Sequence, residues 1–302
     1  VTSARPDLAA LDLLVRVAEG GSIGTAARSV GIAQPNASRA IARLERQLDV
    51  VLLERTPSGS RLTTEGGAVV EWAREALAAV DRIVVGARSL AAQRRPHLSV
   101  AASLTVAEYL APGWLADFRQ ARPDLRVSLA VANSDEVLEQ VLAGEVLLGF
   151  VECPALPRSV ASTTVGRDSL VVVVSPAHPW ANHRRPLEPA ELAAADLVVR
   201  ESGSGTRQTL ARALAQVGVE LGESHLELAS TAAVKAAASA GLAPAVLSNL
   251  AVTSELATRT LVEVKVSGLN LERKLRAVWH SSVRPSGAAA ELIRLATARS
   301  PQ

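Results

Sequence analysis

The sequence predicts a chain of two fold classes: an all-α N-terminal unit built on a winged helix-turn-helix, then a longer α/β region. Three observations predict it. Ahead of residue 64, apolar residues recur at helical spacings of three and four, broken only by one short hairpin pattern. From Val69 to Leu90 a single apolar seam runs along one long helix. Beyond residue 97, short apolar runs such as LSVAAS and RVSLAVA alternate with helical segments, the pattern of a sheet covered by helices. A length of 302 residues exceeds one comfortable core and agrees with several compact units.

The N-terminal elements follow in order. An entry helix reads LAALDLLVRVAEGGS. The stretch from Ile23 to Arg43 then reads as two short helices joined by a tight turn. The first, roughly Gly24 to Val30, offers Ala26, Ala27 and Val30 as a small apolar face that lets a second helix cross closely. Gly31 follows, where a helix end needs a residue that tolerates positive φ. The second helix starts at Pro35, because proline suits the first helical position. Its apolar residues Ala37, Ile41, Leu44 and Leu48 form one stripe. The opposite face carries Gln34, Asn36, Ser38, Arg39, Arg43 and Arg46. Donors and acceptors at a helix N-terminus, followed by arginines, suit a major-groove reader of double-stranded DNA. An arginine-bearing face is also what an ordinary solvated helix presents, so these residues alone leave both readings open.

After the second helix, Val51, Leu52 and Leu53 form a short apolar run, Pro57, Ser58, Gly59 and Ser60 form a turn, and Arg61 and Leu62 return. Arg55 and Arg61 flank the tip of this wing and are placed to reach phosphate or the minor groove. Thr63 or Thr64 caps the next helix, with Glu65 in its first turn. Along that helix Val69, Ala73, Ala76, Val80, Ile83, Ala87 and Leu90 alternate steps of four and three, an a/d seam that predicts pairing of two chains. The competing reading packs this face against its own domain. Residues 93–97 break the helix and mark a linker.

In the α/β region the turns after several strands are rich in hydroxyls: Ser103 and Thr105; Asn133 and Ser134; Ser202, Ser204 and Thr206; Ser230 and Thr231. Such turns open helices whose free N–H groups favour an anion, and they lie where open α/β sheets bind ligands. Ordinary capping accounts for each turn singly. RESGSGTRQTL is the most specific, since its glycines permit close backbone approach and Arg207 supplies charge. Arg200 is read as a candidate ion-pair partner between lobes.

The run from Leu8 to Leu62 resembles the N-terminal domain of LysR-type transcriptional regulators, through the entry helix, TAARSVGIAQPNASRAIARLE and LLERTPSGSRLT. The resemblance covers the whole chain and is most specific in its first quarter. It implies a winged helix-turn-helix domain at 1–63, a linker dimerisation helix at 64–92 and an effector-binding domain at 93–302. The last is expected to be a two-lobed, periplasmic-binding-protein-like (type 2) clamp, with lobe I at 97–168 plus 267–302 and lobe II at 169–266. The expected DNA contacts are Ser22, Thr25, Gln34, Pro35, Asn36, Ser38, Arg39, Arg43, Arg55 and Arg61. The expected effector contacts are Ser103, Thr105, Asn133, Ser134, Ser202, Ser204, Thr206 and Thr231. Two departures stand out: Ala33 replaces the usual serine before Gln34, removing a phosphate-contacting hydroxyl, and Leu53 replaces the usual phenylalanine.

Composition narrows the alternatives. Net charge is only +2, so basic character is local to the DNA face. Cys153 is the only cysteine, which excludes an intramolecular disulfide, and a buried inert thiol is the expectation for it. The histidines show no metal spacing. No charged leader with an apolar core opens the sequence and no run approaches membrane-spanning length, so a cytoplasmic protein without membrane partner is expected. An enzyme acting on a small organic acid lacks a G-x-S-x-G elbow, phosphate loop or dinucleotide fingerprint. An architectural DNA-bound protein without ligand is the other alternative. The expectation is a bacterial regulator, not an enzyme, with no cofactor. Its partners are promoter DNA, a small anionic co-inducer, RNA polymerase and its own copies as homodimers or dimers of dimers.

Overall fold

Asp7 starts the first helix, its carboxylate accepting the Ala9 N–H at the N-cap of α1 (Leu8–Gly20), and Gly21 ends it in the left-handed region at φ 67°. The computed structural model describes residues 5–56, 59–93 and 97–299, which divide into two units at Val84 and Val85. In the first unit, α2 (Ile23–Ser29) crosses α1, and α3 (Gln34–Leu48) follows. Gly31 has φ +70°, as the turn requires. Pro35 is the second residue of α3 rather than the first, still within the turn whose N–H groups have no helical partner. Leu13, Leu14 and Val17 of α1, Ala26 and Ala27 of α2, and Ala37, Ile41 and Leu44 of α3 make one core. The Glu45 carboxylate accepts the N–H groups of Leu52 and Leu53 at 2.8 and 3.2 Å, tying the exit of α3 to the wing. The wing pairs β1 (Leu53–Thr56) with β2 (Gly59–Leu62), setting Glu54 opposite Arg61. Its tip residues Pro57 and Ser58 lie outside the described residues.

Thr63 caps α4 (Thr64–Gln93), accepting the Gly66 N–H at 2.8 Å. The expected seam divides here. Val69 and Ala73 are sealed in the N-terminal core with Leu52, and Ala76 packs against it, so these positions are not free to pair with a second chain. Farther along, Ile83 is 71% exposed and Ala87 is exposed, while Val80 is half-buried. The Leu90 side chain lies outside the described residues. Trp72, which the seam omits, is 65% exposed and lies about three turns before Ile83 on the same helical face. The early turns belong to the domain because α4 begins against Leu52, and only the later turns clear that core.

In the second unit, parallel strands β3 (His97–Ser103), β4 (Arg126–Ala132) and β5 (Leu148–Val151) alternate with α5 (Leu104–Tyr109), α6 (Ala111–Ala121) and α7 (Ser134–Leu142). A helix open to interruption at Pro112 and Gly113 is expected from Val106 to Ala121; two form, breaking at Leu110. Pro112 cannot donate to the preceding turn, so it sits in the first turn of a new helix instead. The long β6 (Val160–Val174) leaves this lobe at Ser169–Leu170. Its first part, too polar to read as a strand, pairs with the returning β11 (Glu272–His280), which α12 (Gly287–Arg299) follows. The second lobe adds α8 (Pro189–Ala193), β7 (Val198–Arg200), α9 (Gly205–Gln216), β8 (Leu226–Leu228) and α10 (Thr231–Ser239), then β9 (Ala245–Ser248), α11 (Asn249–Ala257) and β10 (Val262–Val264). Among the described residues the sheet path runs β4-β3-β5-β11-β6-β9-β7-β8, with β10 on β6. Helices cover both faces of each lobe: the Trp114 and Phe150 rings meet at a tilt with centroids 5.1 Å apart in one layer of the first, and Leu210 and Leu214 seal one layer of the second. The α8 and α11 segments, absent from the sequence reading, are short and lack a clean apolar stripe.

Candidate functional site

The exposed face of α3 is built by what its other face buries. With Ala37, Ile41 and Leu44 inward, Gln34, Pro35, Asn36, Arg39 and Arg43 point to solvent and Ser38 is half-buried. Arg39 Nη2 donates to Asn36 Oδ1, which fixes two polar tips near the helix N-terminus. Ala33, at the N-cap, supplies no side-chain bond, as its methyl dictates. Ser22 and Thr25 are placed differently from the α3 set: the Ser22 hydroxyl caps α2 by accepting the Thr25 N–H at 3.1 Å, and the two hydroxyls bond at 2.9 Å. Arg61 is exposed on β2. The Arg55 side chain lies outside the described residues.

The second site lies where the two lobes meet, at the carboxyl ends of the strands. Its centre is Arg273, which the sequence reading missed. Nε and Nη2 donate to Asp168 Oδ2 at 2.8 and 2.6 Å, and Nη1 lies 3.7 Å from Glu152 Oε1. The same guanidinium reaches both lobes: Nη2 donates to Thr105 Oγ1 at 3.2 Å and Nη1 to Thr206 Oγ1 at 3.0 Å. Asp168 also accepts from Ser248 Oγ at 3.0 Å. Ser103 donates to Glu152. All of these side chains are buried, so the pairing is charge-assisted and shielded from water.

Backbone contacts hold the lobes together around that cluster. Gly205, at the start of α9, approaches the first lobe so closely that a Cβ there would meet Ser134 Oγ at 2.8 Å and Glu152 Cγ at 2.9 Å. The Gly203 carbonyl accepts the Asp135 N–H at 3.2 Å, and Gln208 donates to the Asp135 carboxylate at 2.9 Å. Ser134 Oγ is buried with no hydrogen-bond partner. The first turns of α7 and α9 therefore face each other across a buried polar cluster.

Of the expected effector residues, Ser103, Thr105, Ser134, Ser204 and Thr206 are buried at or beside this junction. Asn133 is half-buried and caps α7 through a capping box with Glu136. Ser202 is exposed and outside the cluster. Thr231 is buried in the second lobe and accepts from Arg200 Nη1 at 3.1 Å. Arg200 is not an interlobe partner: it pairs with neighbouring Glu201 at 2.7 Å. Arg207 pairs with Glu227 at 2.5 Å, so it brings no free charge to the junction. Cys153 is buried, and burial together with Glu152 pushes its thiol up to about 12, so it stays protonated. Among the described residues no cluster of ligating side chains could hold a metal, and no helix is long and apolar enough to cross a membrane.

Arg273 and Asp168 escaped the sequence reading because they are partners across antiparallel strands, far apart in the chain. A signal existed: Arg273 shares the inward register of Leu275 and Ala277, and Asp168 that of Leu170 and Val172. A charge on the buried face of a strand needs a partner.

Comparison with known proteins assigns both units to one family. Residues 91–301 match the model of the LysR substrate binding domain, and residues 8–67 match that of bacterial regulatory helix-turn-helix proteins of the lysR family. An HTH-type transcriptional regulator of Mycobacterium tuberculosis is 40% identical over 99% of each chain. The HTH-type transcriptional regulator YeiE of Escherichia coli is 32% identical over 89% of this chain and 88% of its own. The regulatory domain of CcmR from Synechocystis superposes with a TM-score of 0.61 and 25% identity, over 68% of this chain and 99% of that one.

Proposed function

Because the chain belongs to the LysR family of helix-turn-helix regulators, we propose that its interlobe cluster takes a small metabolic anion and thereby changes how paired recognition helices hold promoter DNA. Family membership makes the protein a transcriptional regulator with a DNA-binding and an effector-binding domain, not an enzyme. The observation that carries the anion reading is the convergence on Arg273: one buried guanidinium bonded to a threonine of each lobe, with the unpartnered Ser134 hydroxyl at the same lobe junction, against Gly205. The N-terminal turn of α9, which has no side-chain cap, adds partial positive charge. Glu152 is the built-in competitor. In this reading the effector's anionic group displaces Glu152 from Ser103 and Arg273, and the lobes reset around it. The CcmR regulatory domain was solved in complex with 2-PG, which favours the same ligand class here.

The DNA contacts in this reading are Gln34, Pro35, Asn36, Ser38, Arg39 and Arg43 in the major groove. Ser22, Thr25 and Arg61 hold the backbone, and Arg55 is assigned to the same role by its place on the wing. The exposed Trp72 and Ile83, with Val80 and Val84, support pairing of α4 between two chains, and dimers of dimers on one promoter. Such a protein acts in the cytoplasm and contacts RNA polymerase at the promoter. Ligand binding shifts the lobe equilibrium only by its differential affinity for the two arrangements.

The test is a thermal-shift screen of the full chain against sulfate, sulfite, phosphate, nitrate, simple carboxylates and 2-PG. A hit must also change a footprint on promoter DNA, and the Glu152→Gln variant must bind it more tightly. Hits that leave the footprint unchanged would sink the regulatory coupling. A variant with unchanged or weaker affinity would remove Glu152 as the competitor.

A further inference from the structure

The hinge carries a second concentration of positive charge that the interlobe cluster does not use. Between α9 and the β6–β11 pair lies a cavity of about 350 Å³, lined by Arg212 from the helix and by Arg167, Lys274 and Arg276 from the strands. Thr209 and Gln216 add neutral polar groups to its wall. The size suits a small organic acid.

The charges are arranged at a cost to the fold. Arg167 and Lys274 are directly opposite each other in the antiparallel register, a position where like charges repel. Relief by a carboxylate is missing among the described residues: Arg212 and Arg276 each donate to a main-chain carbonyl, Pro154 O at 2.9 Å and Cys153 O at 2.6 Å, and none of the four cations forms an ion pair. Glu272 lines the same wall without pairing with them. Arg273, which also borders the cavity, is already neutralised by Asp168. The wall therefore holds more positive charge than the protein compensates.

We propose that this cavity is a second binding site, distinct from the interlobe cluster, for a small multivalent organic anion such as a polycarboxylate or a phosphorylated acid. Multivalence follows from the layout. The cations come from β6, β11 and α9, and a single negative charge would leave part of the repulsion in place. A bound polyanion joins the hinge strands to the second lobe's α9 and to the Cys153–Pro154 segment of the first lobe. It thus steadies one arrangement of the two lobes without entering the Arg273 cluster. The site does not depend on what the interlobe cluster binds.

The test is calorimetric titration of the full chain with citrate and with pyrophosphate, with acetate as the monovalent control, at a fixed ionic strength of about 0.15 M. One saturable site for at least one polyanion, and none for acetate, is expected. The variant carrying Arg167→Gln and Lys274→Gln, both exposed, should lose affinity about tenfold or more, while Thr206→Val keeps it. In buffer free of polyanions the same double variant should melt above the parent, because the opposed charges are gone. Flat titrations with both polyanions would overturn the proposal. So would binding that Thr206→Val abolishes and the double variant retains, which would put the anion in the interlobe cluster. A lower melting temperature of the double variant would show that the two cations stabilise the hinge by themselves, and would also overturn it.

Discussion

Arginine does opposite work in the two units. On α3, Arg39 and Arg43 stand exposed on a helix whose other face is core, free to meet phosphate or a base edge. On β11, Arg273 is buried, bonded to Asp168, Thr105 and Thr206, and free to meet nothing unless the lobes rearrange. One kind of arginine waits for a partner from outside, and the other holds two parts of the same chain together. The contrast teaches where binding energy is stored. The exposed face of α3 is preorganised by a small core, so DNA bound there, as proposed, adds contacts. The interlobe cluster is already satisfied by the protein's own charges, so a ligand bound there, as proposed, has to exchange one set of contacts for another.

That contrast breaks most sharply at Arg273. Arg273→Met leaves Asp168 and Glu152 buried without their cation, and should lower the stability of the C-terminal unit by about 3–5 kcal/mol. Denaturant unfolding followed by a C-terminal probe reads it, and a loss below about 1 kcal/mol would mean that the cluster is wetter than its burial indicates. Adding Asp168→Leu should recover part of the loss, since the stranded charge goes with it. Gly205→Ala is next, at about 1–3 kcal/mol, because its methyl meets Ser134 and Glu152 across the lobe junction. Hydrogen exchange at the first turns of α7 and α9 should rise, and unchanged protection would show that the junction gives way freely.

On the other side of the comparison, Arg39→Ala should leave stability alone and weaken specific DNA binding by about 1–3 kcal/mol. An unaltered operator affinity in a gel-shift titration would take Arg39 out of the interface. Val80→Glu with Ile83→Glu should convert a dimer to a monomer by light scattering. A persistent dimer would move the pairing face off the later turns of α4. The smallest effect is expected from Arg61→Gln on the wing: a weakening below about 1 kcal/mol on every sequence, with the salt slope of binding reduced by about one. A sequence-dependent loss would instead make Arg61 a base reader.

Legibility followed the same divide. The face of α3 could be read from Ala37, Ile41 and Leu44, since three- and four-residue spacing sets what points outward wherever the helix is. The seam on α4 was half legible: its spacing was visible, but nothing local said that Val69 and Ala73 would be claimed by Leu52 and the N-terminal core. At the lobe junction the hydroxyls of Ser103, Thr105, Ser134, Ser204 and Thr206 were found from turn chemistry. The charge they gather around was not, and Arg200 and Arg207 were assigned interlobe or ligand roles that their near neighbours Glu201 and Glu227 take up.

By itself, then, the sequence determined most of the helices and strands, though not α8, α11 or the first part of β6, together with the helix-turn-helix with its outward arginines and the strand ends where hydroxyls collect. These follow from backbone geometry and side-chain periodicity, which act over a few residues. Only the tertiary structure decided that Asp168 and Arg273 would be register partners, that Gly205 would touch the other lobe, and that four cations would line one cavity at the hinge. Those pairings depend on how distant strands align, and Coulomb attraction and close packing act on distance in space, whatever the separation along the chain.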